Sequence, residues 1–208
     1  MNPVRIILLL WVLAVMGTAK EATATNGEIF SGDGSNDSVG GTVVSYTQER
    51  VNLVFPLMKR LDAYAGLEYT KSSVETEGYT SPYRYSFYFP DAGFGLRLKP
   101  VARDRFQLYV ALGAIVGEVF YKADFANSDF TLLSNDRGRT FFIAPRFGFG
   151  ANFRVYRELR LCAEISVTGP IPGFNVVVAN KNSGKLETLK LNNDKDMVGF
   201  MLGLRYDY

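Results

Sequence analysis

From Thr42 onward the chain alternates apolar with small or polar positions at a period of two, the signature of strands with two unlike faces. The pattern is cleanest at the C-terminus. Val198, Phe200, Leu202, Leu204, Tyr206 and Tyr208 share one face, opposite Gly199, Met201, Gly203, Arg205 and Asp207. Upstream, Leu61, Ala63, Ala65, Leu67 and Tyr69 oppose Asp62, Tyr64, Gly66, Glu68 and Thr70. Ala92, Phe94, Leu96 and Leu98 oppose Asp91, Gly93, Gly95, Arg97 and Lys99, and the same reading holds from Phe106 to Gly117. Phe141 to Val155 sets a row of Phe against Arg146, Gly148, Gly150, Asn152 and Arg154. Leu159 to Val167 opposes Arg160, Cys162, Glu164 and Ser166, while Val51, Leu53 and Phe55 continue the theme less cleanly.

Connections between these segments alternate in length. Those near Pro56 to Arg60, Pro100 to Arg105 and Tyr156 to Glu158 are short; those near Lys71 to Ser86, Lys122 to Arg139 and Thr168 to Asp196 are long and polar. That order predicts an all-β fold, a closed antiparallel up-and-down transmembrane β-barrel with short turns on one rim and long loops on the other. The strand count is about eight if the apolar patch in Glu28 to Ser31 supplies the first strand, and ten if the Asn175 to Leu191 hairpin enters the membrane. The arms of that hairpin are short, which favours a surface hairpin above the barrel. Residues 25–41, rich in Gly, Ser, Asn and Asp, read as loop or linker holding that short strand, and 42–208 as the barrel.

Alternation alone does not say which solvent the apolar face meets, since a soluble barrel turns it inward. Three features put lipid outside. Several segments reach the roughly 9–11 residues of a tilted membrane strand. Aromatics gather near strand ends, Tyr83, Tyr85, Phe87, Tyr88 and Phe89 at one rim and Tyr206 and Tyr208 at the other, as interfacial girdles do. The opposite face mixes glycine with charges of both signs, which suits a narrow lumen.

Composition narrows the function classes. The 208 residues hold 12 Tyr, 16 Phe and 20 Gly, and a net charge of +2 gives no clustered basic surface for nucleic acid. There is no histidine and a single cysteine, Cys162, so Ser–His–Asp and Cys–His chemistry, His metal sites and intrachain disulfides are all excluded. Cys162 falls on the polar face and reads as a small lumen filler. At the N-terminus Arg5 precedes an unbroken apolar run from Ile6 to Val15 and then small residues, the layout of a signal peptide over 1–24, with cleavage after Ala19 or Ala24. The run is short for a transmembrane helix, which needs about 20 apolar residues. Asp33 to Asp37 has oxygens at alternate positions like the start of a calcium loop, but Ser38 and Val44 stand where glycine and an acid are needed, so a flexible turn is expected.

The terminal run Val198 to Tyr208 resembles the C-terminal assembly signal of Gram-negative outer-membrane proteins, with Phe200, Leu202, Leu204, Tyr206 and Tyr208 carrying it and Tyr in place of the commoner terminal Phe. Over 42–208 the chain resembles the small outer-membrane β-barrel family typified by the membrane domain of outer membrane protein A and by outer membrane protein X. The resemblance implies a bacterial outer-membrane location, insertion by the outer-membrane assembly machinery, and lipid and lipopolysaccharide as surroundings. The barrel enzymes of that membrane use a catalytic histidine, which is absent here, so no enzymatic activity and no cofactor are expected.

A lumen-facing polar side places Asp62, Glu68, Arg97, Lys99, Arg146, Arg160, Glu164, Arg205 and Asp207 inside. Both signs occur, so the charges can pair across a narrow interior, and an eight-stranded barrel is just wide enough to be filled by side chains. Two functions stay open. One is a closed, salt-bridged barrel with a structural or surface-interaction role in adhesion or envelope integrity. The other is a small passive pore gated by the same charges. An extracellular partner is expected to engage loops 122–139 and 168–196.

Overall fold

The computed structural model describes residues 26–37, 43–75, 84–125, 128–134, 136–191 and 196–207. Residues 1–24, where a signal peptide is expected, lie outside them, as do Tyr83 and Tyr208. Eight strands form a closed antiparallel barrel: β1 (Asn26–Asp37), β2 (Val43–Met58), β3 (Leu61–Glu75), β4 (Arg84–Ala102), β5 (Phe106–Asp124), β7 (Arg137–Tyr156), β8 (Leu159–Thr168) and β11 (Met197–Tyr206). Each pairs with the next in chain order, and β1 closes the circle against β11, with Ile29 opposite Leu204 and Ser31 opposite Leu202. The remaining three, β6 (Phe130–Leu132), β9 (Phe174–Asn180) and β10 (Leu186–Leu191), form a small separate sheet in the order β10–β9–β6. The count is therefore eight, and the 175–191 hairpin stands outside the barrel wall. Its turn passes through Gly184 at a φ of 64°, a left-handed conformation that glycine adopts without steric cost.

The apolar face points outward. Phe94, Leu96, Leu98, Leu112, Phe141, Ile143, Phe147, Phe149, Phe153, Ile165, Phe200, Leu202 and Leu204 are all exposed, forming a belt around the wall. In water such a belt would far exceed the apolar patches that soluble monomers show. In lipid it is the expected surface. The wall is uneven: β4 and β5 run 19 residues and β7 runs 20, whereas β8 and β11 run 10 each.

Two expectations change. The first strand spans Asn26–Asp37 instead of Glu28 to Ser31 alone, so Asp33 to Asp37 is strand and not a turn. Its small residues fit the closing seam: a Cβ on Gly32 would collide with the backbone of Phe200 and Met201 on β11. The rim aromatics also divide. Tyr88 faces outward, but Tyr85, Phe87 and Phe89 are buried inside the barrel, because alternate residues of β4 point to opposite faces and these share the parity of Asp91 and Arg97.

Candidate functional site

The lumen is built in two tiers. Toward the rim of short turns the inward positions are charged. All of the sequence-predicted lumen residues Asp62, Glu68, Arg97, Arg146, Arg160, Glu164 and Arg205 are buried there, as is Lys99, with Asp207 at the end of the wall. Sequence reasoning missed three further charges, Glu28 on β1, Arg50 on β2 and the inward role of Asp91 on β4.

The pairing is continuous. On β4, Arg97 Nη1 donates to both carboxylate oxygens of Glu28 at 2.6 Å, and its Nη2 lies 3.7 Å from Glu164. Its guanidinium sits between two aromatic faces, 5.0 Å from the ring centre of Tyr64 and 4.6 Å from that of Tyr109. Glu164 also accepts from Arg50 Nη2, and from the Tyr109 hydroxyl at 2.7 Å. Arg50 reaches on toward Glu68 at 4.0 Å, and Glu68 takes two parallel hydrogen bonds from Arg146 at 2.6 and 2.7 Å. In the other direction Glu28 meets Arg205 at 3.5 Å, and Arg205 and Arg160 both donate to Asp207. Lys99 pairs with Asp62 at 2.6 Å to one side. Every barrel strand supplies a member: Glu28, Arg50, Glu68, Arg97, Tyr109, Arg146, Glu164 and Arg205 in turn. Burial that would cost several kcal/mol per isolated charge is thus offset by a partner for nearly every group.

Asp91 is the exception. Both its carboxylate oxygens are buried without a hydrogen-bond partner among the described residues, and it stands opposite Glu68 in the β3–β4 register. At the other end Asp207 lies beyond β11. Its burial favours the neutral form, but the Arg205 charge and the hydrogen bonds from Arg160 and Arg205 outweigh that and hold its carboxyl below the usual carboxylate range.

Glycines make the space. The Tyr64 hydroxyl reaches over Gly95 and Gly113, and the phenol end of Tyr109 lies over Gly150; a Cβ at any of the three would overlap these atoms. This is why glycine shares the polar face with large side chains.

Toward the rim of long loops the lumen turns apolar. Tyr46, Val74, Tyr85, Phe87, Phe89, Ile115, Val119, Tyr121, Phe142 and Met197 line it, and the β6–β9–β10 sheet lays Phe130, Val176, Val178, Leu189 and Leu191 against them in one buried cluster. Phe89 meets Phe142 edge-on at 5.4 Å, and the Tyr121 hydroxyl donates to the Pro172 carbonyl at 2.7 Å, tying the 168–196 segment to the wall. Cys162 packs with Phe30 and Met201 as filler. Among the described residues no group of three or more Cys, Asp or Glu could hold a metal ion.

The closed eight-strand circuit with its apolar belt decides the architecture. This is the small outer-membrane β-barrel fold. Solved structures agree. Outer membrane protein OprG from Pseudomonas aeruginosa matches at a TM-score of 0.59 and 12% identity, over 89% of this chain and 96% of its own. A major outer membrane protein from Thermus thermophilus matches at 0.54 and 12%, over 88% and 99%. Ail, the attachment invasion locus protein of Yersinia pestis, crystallised with the heparin analogue sucrose octasulfate, matches at 0.51 and 10%, over 89% and 97%. No family model matches the sequence, and neither does any curated protein.

Proposed function

We propose that the protein is a closed, non-enzymatic barrel of the bacterial outer membrane, whose lumen is structural and whose long-loop rim engages an extracellular partner. The observation that carries this reading is the filled lumen: an ion-pair ladder touching every strand below, and an apolar plug capped by the β6–β9–β10 sheet above. A solute would have to break both tiers. Loops 122–139 and 168–196 together build the capping sheet, and that shared sheet at the long-loop rim supports reading them as the interaction surface. The name of Ail speaks of attachment, and that protein's fold is similar. The C-terminal strand β11 fits recognition by the outer-membrane assembly machinery, with Phe200, Leu202, Leu204 and Tyr206 on its outer face.

Single-channel recording of the refolded protein in a planar bilayer tests the reading. A silent, correctly folded barrel is expected. Reproducible current steps would overturn it in favour of a passive pore for small solutes, gated by the Arg97–Glu28–Glu164 contacts.

A further inference from the structure

The outer face of β1, β2 and β3 interrupts the apolar belt. Ser31 and Asp33 on β1, Thr47 and Glu49 on β2 and Lys71 on β3 point outward, because they share the parity of Ile29, Phe55 and Leu67. Ser31, Asp33, Thr47 and Glu49 line a hollow of about 560 Å³ together with Phe200 and Leu202 of β11. Along one row of neighbours this face runs acid, hydroxyl, base: Asp33 stands opposite Thr47, and Thr47 opposite Lys71. Asp33 and Lys71 are two strand spacings apart, about 10 Å. Among the described residues neither is in an ion pair.

The register gives the depth of this face. Followed partner by partner from Asn26 through Val54, Tyr64 and Gly95 round to Thr168 and Met197, the row returns to β1 one step past Ser35. That is about ten residues higher, so a row climbs by a little over one residue per strand. The row of Ile143 on β7 passes through Val116, Ala92, Leu67 and Val51 to Ile29, four residues below Asp33. It climbs about six residues on the way, which puts the exposed Ile143 above Asp33. Phe200 stands directly opposite Asp33, with Leu202 and Leu204 below it, all exposed. Asp33 therefore lies inside the belt, with lipid-facing side chains above and below. A charge facing hydrocarbon is costly, and an aspartate is too short to reach the headgroups as a lysine can. A wall that carries such groups at this depth is a wall covered by protein.

We propose that the β1–β2–β3 face is the interface with a second copy of this chain, related by a two-fold axis along the membrane normal that passes beside Thr47. The order of the row carries the choice of occupant. A two-fold axis reverses left and right but keeps height, so Lys71 of each copy comes to face Asp33 of the other, while Thr47 meets its own counterpart. Lys71 stands a little over two residues' rise above Asp33, within reach of its four-carbon stem. The hollow receives the lysine head, and each charge that lipid would strand gains an opposite one. The proposal rests on the reading that the barrel spans the membrane.

The test is energy transfer between donor- and acceptor-labelled copies of the refolded protein in phosphatidylcholine vesicles at high lipid excess, with the label on the N-terminal amine. The parent is expected to show transfer above that of random encounter. Asp33→Lys alone and Lys71→Asp alone each set like charges against each other across the axis, and each is expected to bring transfer down to the random level. Mixing these two variants, one with the donor and one with the acceptor, restores both contacts and is expected to recover the parent's transfer. The heat-modifiable gel band checks that each variant has folded. A crosslink gives a second measurement: with copper–phenanthroline as oxidant, Thr47→Cys is expected to yield a covalent dimer and Phe141→Cys, on the far wall, none. A parent at the random level overturns the proposal and leaves another membrane protein as the cover. Transfer that survives both single variants, a mixture that does not recover it, or equal crosslinking at both positions also overturns it. A parent with no heat-modifiable band in vesicles defeats the membrane reading itself, and the interface with it.

Discussion

Replacing Arg97 with Met would remove the central cation of the lumen while keeping much of its volume. Arg97 is 1% exposed and serves Glu28, Glu164 and two aromatic rings. Glu164 would keep Arg50 and Tyr109, so the loss falls on Glu28, which would retain only Asn52 at 3.3 Å and Arg205 at 3.5 Å. Breaking a buried pair from one side costs about 3–5 kcal/mol, and these residual partners favour the lower end. Two lost cation–π contacts add about 1 kcal/mol each, partly offset by methionine sulfur packing on the same rings. The expected net loss is about 3–4 kcal/mol, measured by urea unfolding in lipid vesicles. Adding Glu28→Gln to the Arg97→Met background removes the stranded carboxylate and should recover about 2 kcal/mol. A loss below about 1 kcal/mol, or a double variant no better than the single, would refute the view that this pair carries buried, mutually compensated charge.

Other features make separate predictions. Asp91→Asn should stabilise the barrel by about 1 kcal/mol, because it replaces a buried carboxyl that has no hydrogen-bond partner among the described residues and faces Glu68; a lower urea midpoint would contradict this. The depressed carboxyl of Asp207 contributes stability that is complete above the unfolded-state value of about 3.9 and is lost as pH falls through its lower folded value. Asp207→Asn should therefore flatten that acid portion of the stability profile, and an unchanged acid profile would count against the Arg160–Asp207–Arg205 contact. Gly150→Val should displace the Tyr109 ring and destabilise by about 2–3 kcal/mol in the same unfolding assay, whereas Gly184→Asn, in the open hairpin turn, should cost well under about 1 kcal/mol.

The barrel was legible because period-two alternation with short and long connections in phase has few other solutions. The charged lumen members were legible for the same reason: Glu68, Arg97 and Arg146 sit at the polar beat of clean strands. Glu28 and Arg50 escaped because their neighbourhoods break the rhythm. Glu28 opens a candidate first strand, Glu28 to Ser31, too short to show which face it turns to, and Arg50 lies among Gln48, Glu49 and Asn52, where both faces carry polar residues. Extending the beat of Val51, Leu53 and Phe55 one step back would have turned Arg50 inward. The apolar upper tier was hidden for a different reason. Tyr85, Phe87 and Phe89 occupy lumen parity, but a rim aromatic in lipid and a plug aromatic under a loop sheet look alike without the β6–β9–β10 cap. Pair identities depend on the stagger of strands around the circle, which no single strand encodes.

The ion ladder crosses the seam between the first and last strands. Glu28 on β1 and Arg205 on β11 become neighbours only when the circle closes, and Gly32 then nests against Met201 across the same joint. An open sheet would expose Glu28 and Arg205 as separate charges beside two unpaired strand edges, both costly in hydrocarbon. Zipping the edges and neutralising the charges are therefore one event. A ring joined at this seam leaves neither an unpaired strand edge nor, at Glu28 and Arg205, a separated pair of charges.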